Sequence, residues 1–260
     1  MRPYRVLITR PEGSNGGLAA RLREIGVEPV EVPAVRIEPP ASFEDLDRAI
    51  AGLDGFDWIL LTSQNAAAAL FGRLSVAVPG RPLPRRLQWA AIGSGTADAL
   101  RARGIRDVWT PSRYLSEAVA EELPARAGER VLRVRAEIAS EIPARDLRLR
   151  GVEVSEVTAY RTVEAPPASR EPLARALREG VDAAIFTSAS TVRGLIRLAE
   201  EVGQAEALST LLIVAIGPVT ARALLDAGLR AGVVAPVHTI EGIVNVFRER
   251  RTARAGVQSQ

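Results

Sequence analysis

The sequence contains no cysteine and no lysine, a single histidine, a single methionine and only 4% aromatic residues. Without cysteine there is no disulfide framework and no thiolate chemistry, and one histidine leaves a zinc site short of ligands. Without lysine, a Schiff-base enzyme and a P-loop are excluded. Scarce aromatics, and basic residues interleaved with acidic ones, argue against a nucleic-acid groove. No apolar run reaches the length of a membrane span. The start, "MRPYRVLITRPEG", lacks the apolar core of a signal peptide, so the expected location is the cytoplasm.

What is abundant is arginine, which supplies all 34 basic residues of a chain with net charge +3. A GC-rich genome favours arginine codons and accounts for the bias. The functional counterpart is that a planar guanidinium suits bidentate recognition of carboxylate or phosphate. A length of 260 residues with 47% hydrophobic and 25% charged content is enough for one large globular domain or two ordinary ones.

The chain repeats itself. "AIGSGTADALRARG" (91–104) returns as "AIGPVTARALLDAG" (215–228), and "VLITR" (6–10) returns as "VLRVR" (131–135). "LREIGVEPVEVPAVR" (22–36) matches "LRLRGVEVSEVTAYR" (147–161), and "GFDWILLTS" (55–63) matches "GVDAAIFTS" (180–188). The order is the same in both halves and the offset stays near ~125 residues, which is a tandem duplication. Each half reads as strands alternating with helices, with Gly26 ending a helix that begins near Ser14. Ser42 is the expected cap of "FEDLDRAIAGL". Continuous apolar runs such as "WILLTS" and "AAIFTS" are strands covered on both faces. The expected fold is α/β: two doubly wound parallel-sheet domains joined by a two-stranded connector.

In such sheets ligands bind beyond the carboxyl ends of the strands. Four turns fall there: "TSQN" (62–65), "IGSGT" (92–96), "TSAS" (187–190) and "IGPVT" (216–220). Any one of them alone reads as an ordinary helix cap. Four in matched positions predict a shared cleft for a carboxylate or phosphate. None has the spacing of a dinucleotide fingerprint.

The usual catalytic sets are missing. His238, which aligns with Tyr114, has no cysteine or serine elbow to serve and reads as a surface or capping residue. Tyr160 is the exception, because the duplication predicts a valine there: "VPAVRI" (32–37) against "VTAYRT" (157–162). It is either a strand residue filling a pocket or a phenol aimed at a ligand as donor of a proton or hydrogen bond.

"ITRP", the TS turns, both "AIG…T…L…G" segments and "V.AYRT" together resemble uroporphyrinogen-III synthase over almost the whole chain. The resemblance implies an exchange of the first β-α unit. One domain is then 1–36 with 165–260, and the other 39–160. Segments 27–39 and 152–165 become connectors pairing as a two-stranded ladder, and the tail from about residue 250 is disordered. It also implies a lyase that cyclises hydroxymethylbilane, with inversion of the last ring, through an azafulvene and a spiro intermediate. That substrate is a small molecule carrying eight carboxylates. No metal or cofactor is implied, because the pyrrole supplies the electrons. Tyr160 matches the family's tyrosine as the catalytic acid. Arg10, Ser63, Gly93, Thr96, Ser188, Gly217 and Thr220 match its substrate-binding turns. A cytoplasmic monomer without nucleic-acid or membrane partners is the expected form. A non-catalytic two-domain clamshell for an anionic ligand remains the alternative.

Overall fold

The structure, a computed structural model, describes residues 2–14, 16–113 and 116–257. The chain divides into two compact units, Met1–Arg36 with Val163–Gln260, and Ile37–Thr162. In chain order it begins with β1 (Tyr4–Ile8), α1 (Gly16–Glu24), β2 (Val27–Glu31) and β3 (Val35–Glu38). There follow α2 (Glu44–Ala51), β4 (Trp58–Leu61), α3 (Gln64–Ala77), β5 (Gln88–Ala91), α4 (Ser94–Arg101) and β6 (Val108–Trp109). Next come α5 (Ser116–Glu122), β7 (Arg130–Ala136), α6 (Ile142–Leu149) and β8 (Glu153–Glu164). The last stretch is α7 (Arg170–Glu179), β9 (Ala183–Phe186), α8 (Ala189–Glu201), β10 (Leu212–Ala215), α9 (Pro218–Asp226), β11 (Val233–Val234) and α10 (Ile240–Val257).

One sheet runs β11-β10-β9-β1-β2, with every pairing parallel. The other runs β3-β8-β7-β4-β5-β6 and is parallel from β8 to β6. The duplication is visible in the order: β7, β8, β4, β5 and β6 stand where β1, β2, β9, β10 and β11 stand. The match extends to backbone detail. Gly26 at φ +68° and Gly151 at φ +79° follow α1 and α6 with the same left-handed turn, returning their N–H groups to Arg23 O and Arg148 O.

β4 and β9 are buried at every residue because helices cover both faces of each sheet. In the first sheet, Leu7, Phe186 and Leu195 pack on one side, and Val6, Ile8, Leu18 and Phe247 on the other. In the second, Ile59, Leu61, Leu132 and Leu70 fill one side, and Trp58, Leu60, Val131 and Leu147 the other. Strand order reverses between β1 and β9 in the first sheet and between β7 and β4 in the second. Carboxyl-terminal edges at such reversals are where open parallel sheets bind ligands. Among the described residues no helix is long and apolar enough to cross a membrane.

Three local expectations change. Ser42 does accept the Glu44 N–H at 3.1 Å, but the helix starts one residue later and Phe43 takes the cap position. The first connector is divided along its length: β2 pairs with β1, the Val32 and Ala34 N–H groups still donate to Ile8 O and Thr9 O, and only β3 beyond them joins β8 in the expected ladder. The stretch from residue 250 is also not irregular as far as Val257. Arginine- and alanine-rich, it suits a helix and prolongs α10.

Candidate active site

Ser63 ends the turn after β4 and caps α3. Its extended backbone, φ −156° and ψ 156°, lets Oγ accept the Ala66 N–H at 3.0 Å. The same Oγ lies 2.9 Å from the Tyr160 hydroxyl, which arrives from β8. Between β8 and β4 stands β7, and the residue opposite Tyr160 there is Ala136. Tyr160 is 8% exposed and belongs to the apolar core on the α2–α4 side. Burial pushes its phenol above the usual tyrosine range, while hydrogen bonding with the side chains of Ser63 and Asn65 pulls it partly back. Its ring fills a pocket in the core, as the packing reading expects, and its hydroxyl is held at a helix N-terminus.

Gly93 precedes α4 with φ +88°, a conformation that favours glycine and carries no side chain to cap the helix. Gly95 brings this turn against the previous one, since a Cβ there would lie 2.2 Å from Gln64 Nε2. Thr96 is 4% exposed and Thr220 is 3% exposed. Each is the third residue of its helix, so the caps are Gly93 and Gly217 rather than the threonines. Among the described residues neither threonine hydroxyl has a hydrogen-bond partner.

In the first unit, Ser188 caps α8 and closes a reciprocal box with Thr191. Its side chain is thus committed to local structure more fully than that of Ser63. Gly217 is extended, and its lack of a side chain admits the His238 ring, whose Cγ would lie 3.1 Å from an added Cβ. Tyr114, the duplicated partner of His238, lies outside the described residues. Arg10 follows β1 at the reversal point. It is half-buried, its Nε reaches only Ser14 Oγ at 3.4 Å, and no carboxylate pairs with it among the described residues. Burial accordingly lowers its pKa with nothing to offset it.

The structure thus joins Ser63 to Tyr160, sets Gly93 and Thr96 on the neighbouring turn, and places Arg10, Ser188, Gly217 and Thr220 in the other unit. Asn65 belongs to one of the four turns, yet nothing in the linear sequence sets it apart from its neighbours. Its side-chain hydrogen bond with Tyr160 is what marks it. Among the described residues no group of three His, Cys, Asp or Glu side chains is arranged to hold a metal ion.

Residues 17–245 match the family described as Uroporphyrinogen-III synthase HemD. The uroporphyrinogen-III synthase of Synechococcus elongatus is 32% identical over 246 residues, covering 92% of both chains. A putative uroporphyrinogen-III synthase of Archaeoglobus fulgidus is 30% identical over 249 residues, 95% of this chain and 99% of its own. Among solved structures, a mutant uroporphyrinogen III synthase of Thermus thermophilus superposes with a TM-score of 0.65 at 23% identity. The match covers 96% of this chain and 99% of that one, and it supports the fold. The chain belongs to the uroporphyrinogen-III synthase family, and as a lyase of tetrapyrrole biosynthesis it cyclises hydroxymethylbilane to uroporphyrinogen III.

Proposed function

We propose that Tyr160 is the acid that helps the terminal hydroxyl of hydroxymethylbilane to leave. The observation that carries this role is the Ser63–Tyr160 hydrogen bond at the N-terminus of α3. Ser63 Oγ already accepts from Ala66 N, so its own O–H is available to donate to the phenol oxygen. The phenol O–H is then free to point at the substrate. When it gives up its proton, the phenolate is met by the Ser63 donor and, through it, by the positive end of the helix. The substrate's C–O bond breaks, water departs, and the pyrrole nitrogen lone pair closes the azafulvene. Attack through the spiro intermediate, fragmentation and reclosure follow. The proton lost on rearomatisation restores the phenol.

The other residues bind. Arg10 pairs with a substrate carboxylate, which supplies the counter-charge that the protein withholds. The N–H groups of the turns at Gly93, Ser188 and Gly217 take further carboxylates, and the Thr96 and Thr220 hydroxyls donate to the substrate. The working form is a cytoplasmic monomer acting on this small molecule, and the scarce aromatics and interleaved charges support a role without nucleic acid. Purified protein should therefore sediment as one chain.

The threonines provide the test of the binding role. Thr96→Ala and Thr220→Ala should each lose about 1 kcal/mol of stability or less, since alanine favours a helix interior. Activity should nevertheless fall about fivefold to tenfold in each, by loss of one hydrogen bond to substrate. The double variant should fall further and remain folded by circular dichroism. Full activity in a folded double variant removes both from the site.

Tyr160 also sets a pH dependence. Its folded-state pKa is raised above that of the unfolded chain. The corresponding stability is present below the unfolded tyrosine value of about 10 and declines as pH rises past it. Denaturant midpoints should fall more steeply above that pH in the wild type than in Tyr160→Phe. Parallel curves would contradict the shift.

A further inference from the structure

We propose that the loop joining β7 to α6, residues 137–141, is a substrate-binding element, and that Ile138 lays its side chain on a pyrrole face of the tetrapyrrole. This inference rests on the placement of the reaction at Tyr160 and Ser63.

The loop leaves the sheet at the point of strand reversal. Val134 is in register with Leu61, and Ala136 with Tyr160. Glu137 donates its N–H to Tyr160 O at 2.9 Å. Ile138 is therefore the next residue beyond the one bonded to the tyrosine's own backbone. Its side chain is 84% exposed.

An exposed isoleucine on a slack loop would call for no explanation. This loop is braced from beneath. Arg133, 1% exposed, donates to Ser140 O and pairs with Glu156 at 2.6 Å. Arg135 donates to Ala136 O at 2.9 Å and to Glu137 O at 2.8 Å. Glu156 also lies 3.1 Å from both Arg135 and Arg148, so three guanidinium groups surround one carboxylate. Among the described residues Arg133 Nε is buried without a partner, and desolvation lowers that guanidinium's pKa. Such a cluster is a poor source of stability compared with apolar packing of the same volume. Its effect is to fix carbonyls on either side of Ile138, so the side chain is held in water at a set position.

The duplication sharpens the point. Arg135 stands where Arg10 stands in the other unit, since "VLRVR" repeats "VLITR". Among the described residues Arg10 has no carboxylate partner and is open to an anion, whereas Arg135 is engaged with the loop carbonyls and Glu156. The first unit thus offers a charge at the carboxyl end of β1, and the second offers at the matching end of β7 an exposed apolar side chain, one residue past the N–H bonded to the Tyr160 backbone. A linear tetrapyrrole has both complements, carboxylates on its periphery and apolar π-faces on its rings. Arg133 and Arg135 are positioning residues that act through Ile138.

Steady-state kinetics with hydroxymethylbilane tests this. Ile138→Ser removes a solvent-exposed side chain, so folding should be unaffected. KM should rise about tenfold, as expected for exposing one aliphatic contact, with kcat changed much less. Ile138→Leu should restore KM. Leu149→Ser, which removes a comparably exposed residue at the far end of α6, should change neither constant. Arg135→Gln should raise KM in the wild type but add little in an Ile138→Ser background, a non-additivity that a general loss of stability does not produce. An unchanged KM in Ile138→Ser overturns the proposal, as does full additivity of the two changes. If Tyr160→Phe is slow while Ile138→Ser is normal, only this inference fails. If both are normal, the placement of the reaction fails with it.

Discussion

Tyr160→Phe is expected to turn over hydroxymethylbilane about a hundredfold more slowly than the wild type, at the low end of the range for loss of a general acid. The change keeps the ring, and the ring does the packing against the α2–α4 side of the core. Folding should survive, because the hydroxyl's partner, Ser63, retains its bond to Ala66 N. The electron-rich pyrrole drives much of the hydroxyl's departure unaided, which is why a larger effect is not expected. Tyr4→Phe, whose ring packs near Phe247 in the other unit, is the control and should leave the rate alone. Product-isomer ratios of the enzymatic reaction should not change, since the shape of the bound substrate, not the phenol, selects the spiro route. A wild-type rate in a folded Tyr160→Phe would leave the tyrosine as packing only.

Arg10→Gln should separate binding from stability in opposite directions. Its guanidinium is half-buried with no carboxylate beside it among the described residues, and the free protein bears that desolvation uncompensated. Removing the charge should raise the denaturation midpoint or leave it unchanged. KM should rise about tenfold to a hundredfold, the worth of charge-assisted hydrogen bonds to a carboxylate, with kcat affected little. The measurement pairs thermal denaturation with initial rates over a range of substrate. A variant that loses stability and keeps KM would make Arg10 a structural residue of the turn it shares with Ser14.

Much of this was legible in the sequence because the duplication is written in it. "VLITR" and "VLRVR", or the two AIG segments, differ little where both copies must form a buried parallel strand and a turn. Tyr160 stood out for the converse reason, replacing a valine that packing alone would have kept. What the sequence did not disclose depends on contacts across strands. The Ser63–Tyr160 bond passes over the small Ala136, from residues far apart in the chain. Whether a threonine caps a helix or lies inside its first turn is a shift of three residues, and the glycines at 93 and 217 took the cap. The first connector was visible as an extended segment, but its division, with Val32 and Ala34 still bonded to the β1 side and β3 joining β8, needed the strand neighbours to be known. Ile138 carried no signal in a linear reading, since its meaning comes from the arginines that fasten the loop beneath it.

Inversion of the last ring of a linear tetrapyrrole by this chain is expected to use the Ser63-bound phenol of Tyr160. The most direct test is an assay of the purified protein on fresh hydroxymethylbilane, with product isomers separated and a protein-free control alongside. Uncatalysed closure yields the uninverted isomer. Wild-type protein should give the inverted isomer in excess, and Tyr160→Phe the same isomer about a hundredfold more slowly. Substrate binding with only the uninverted isomer, formed at the protein-free rate, would make the chain a binding protein without this activity.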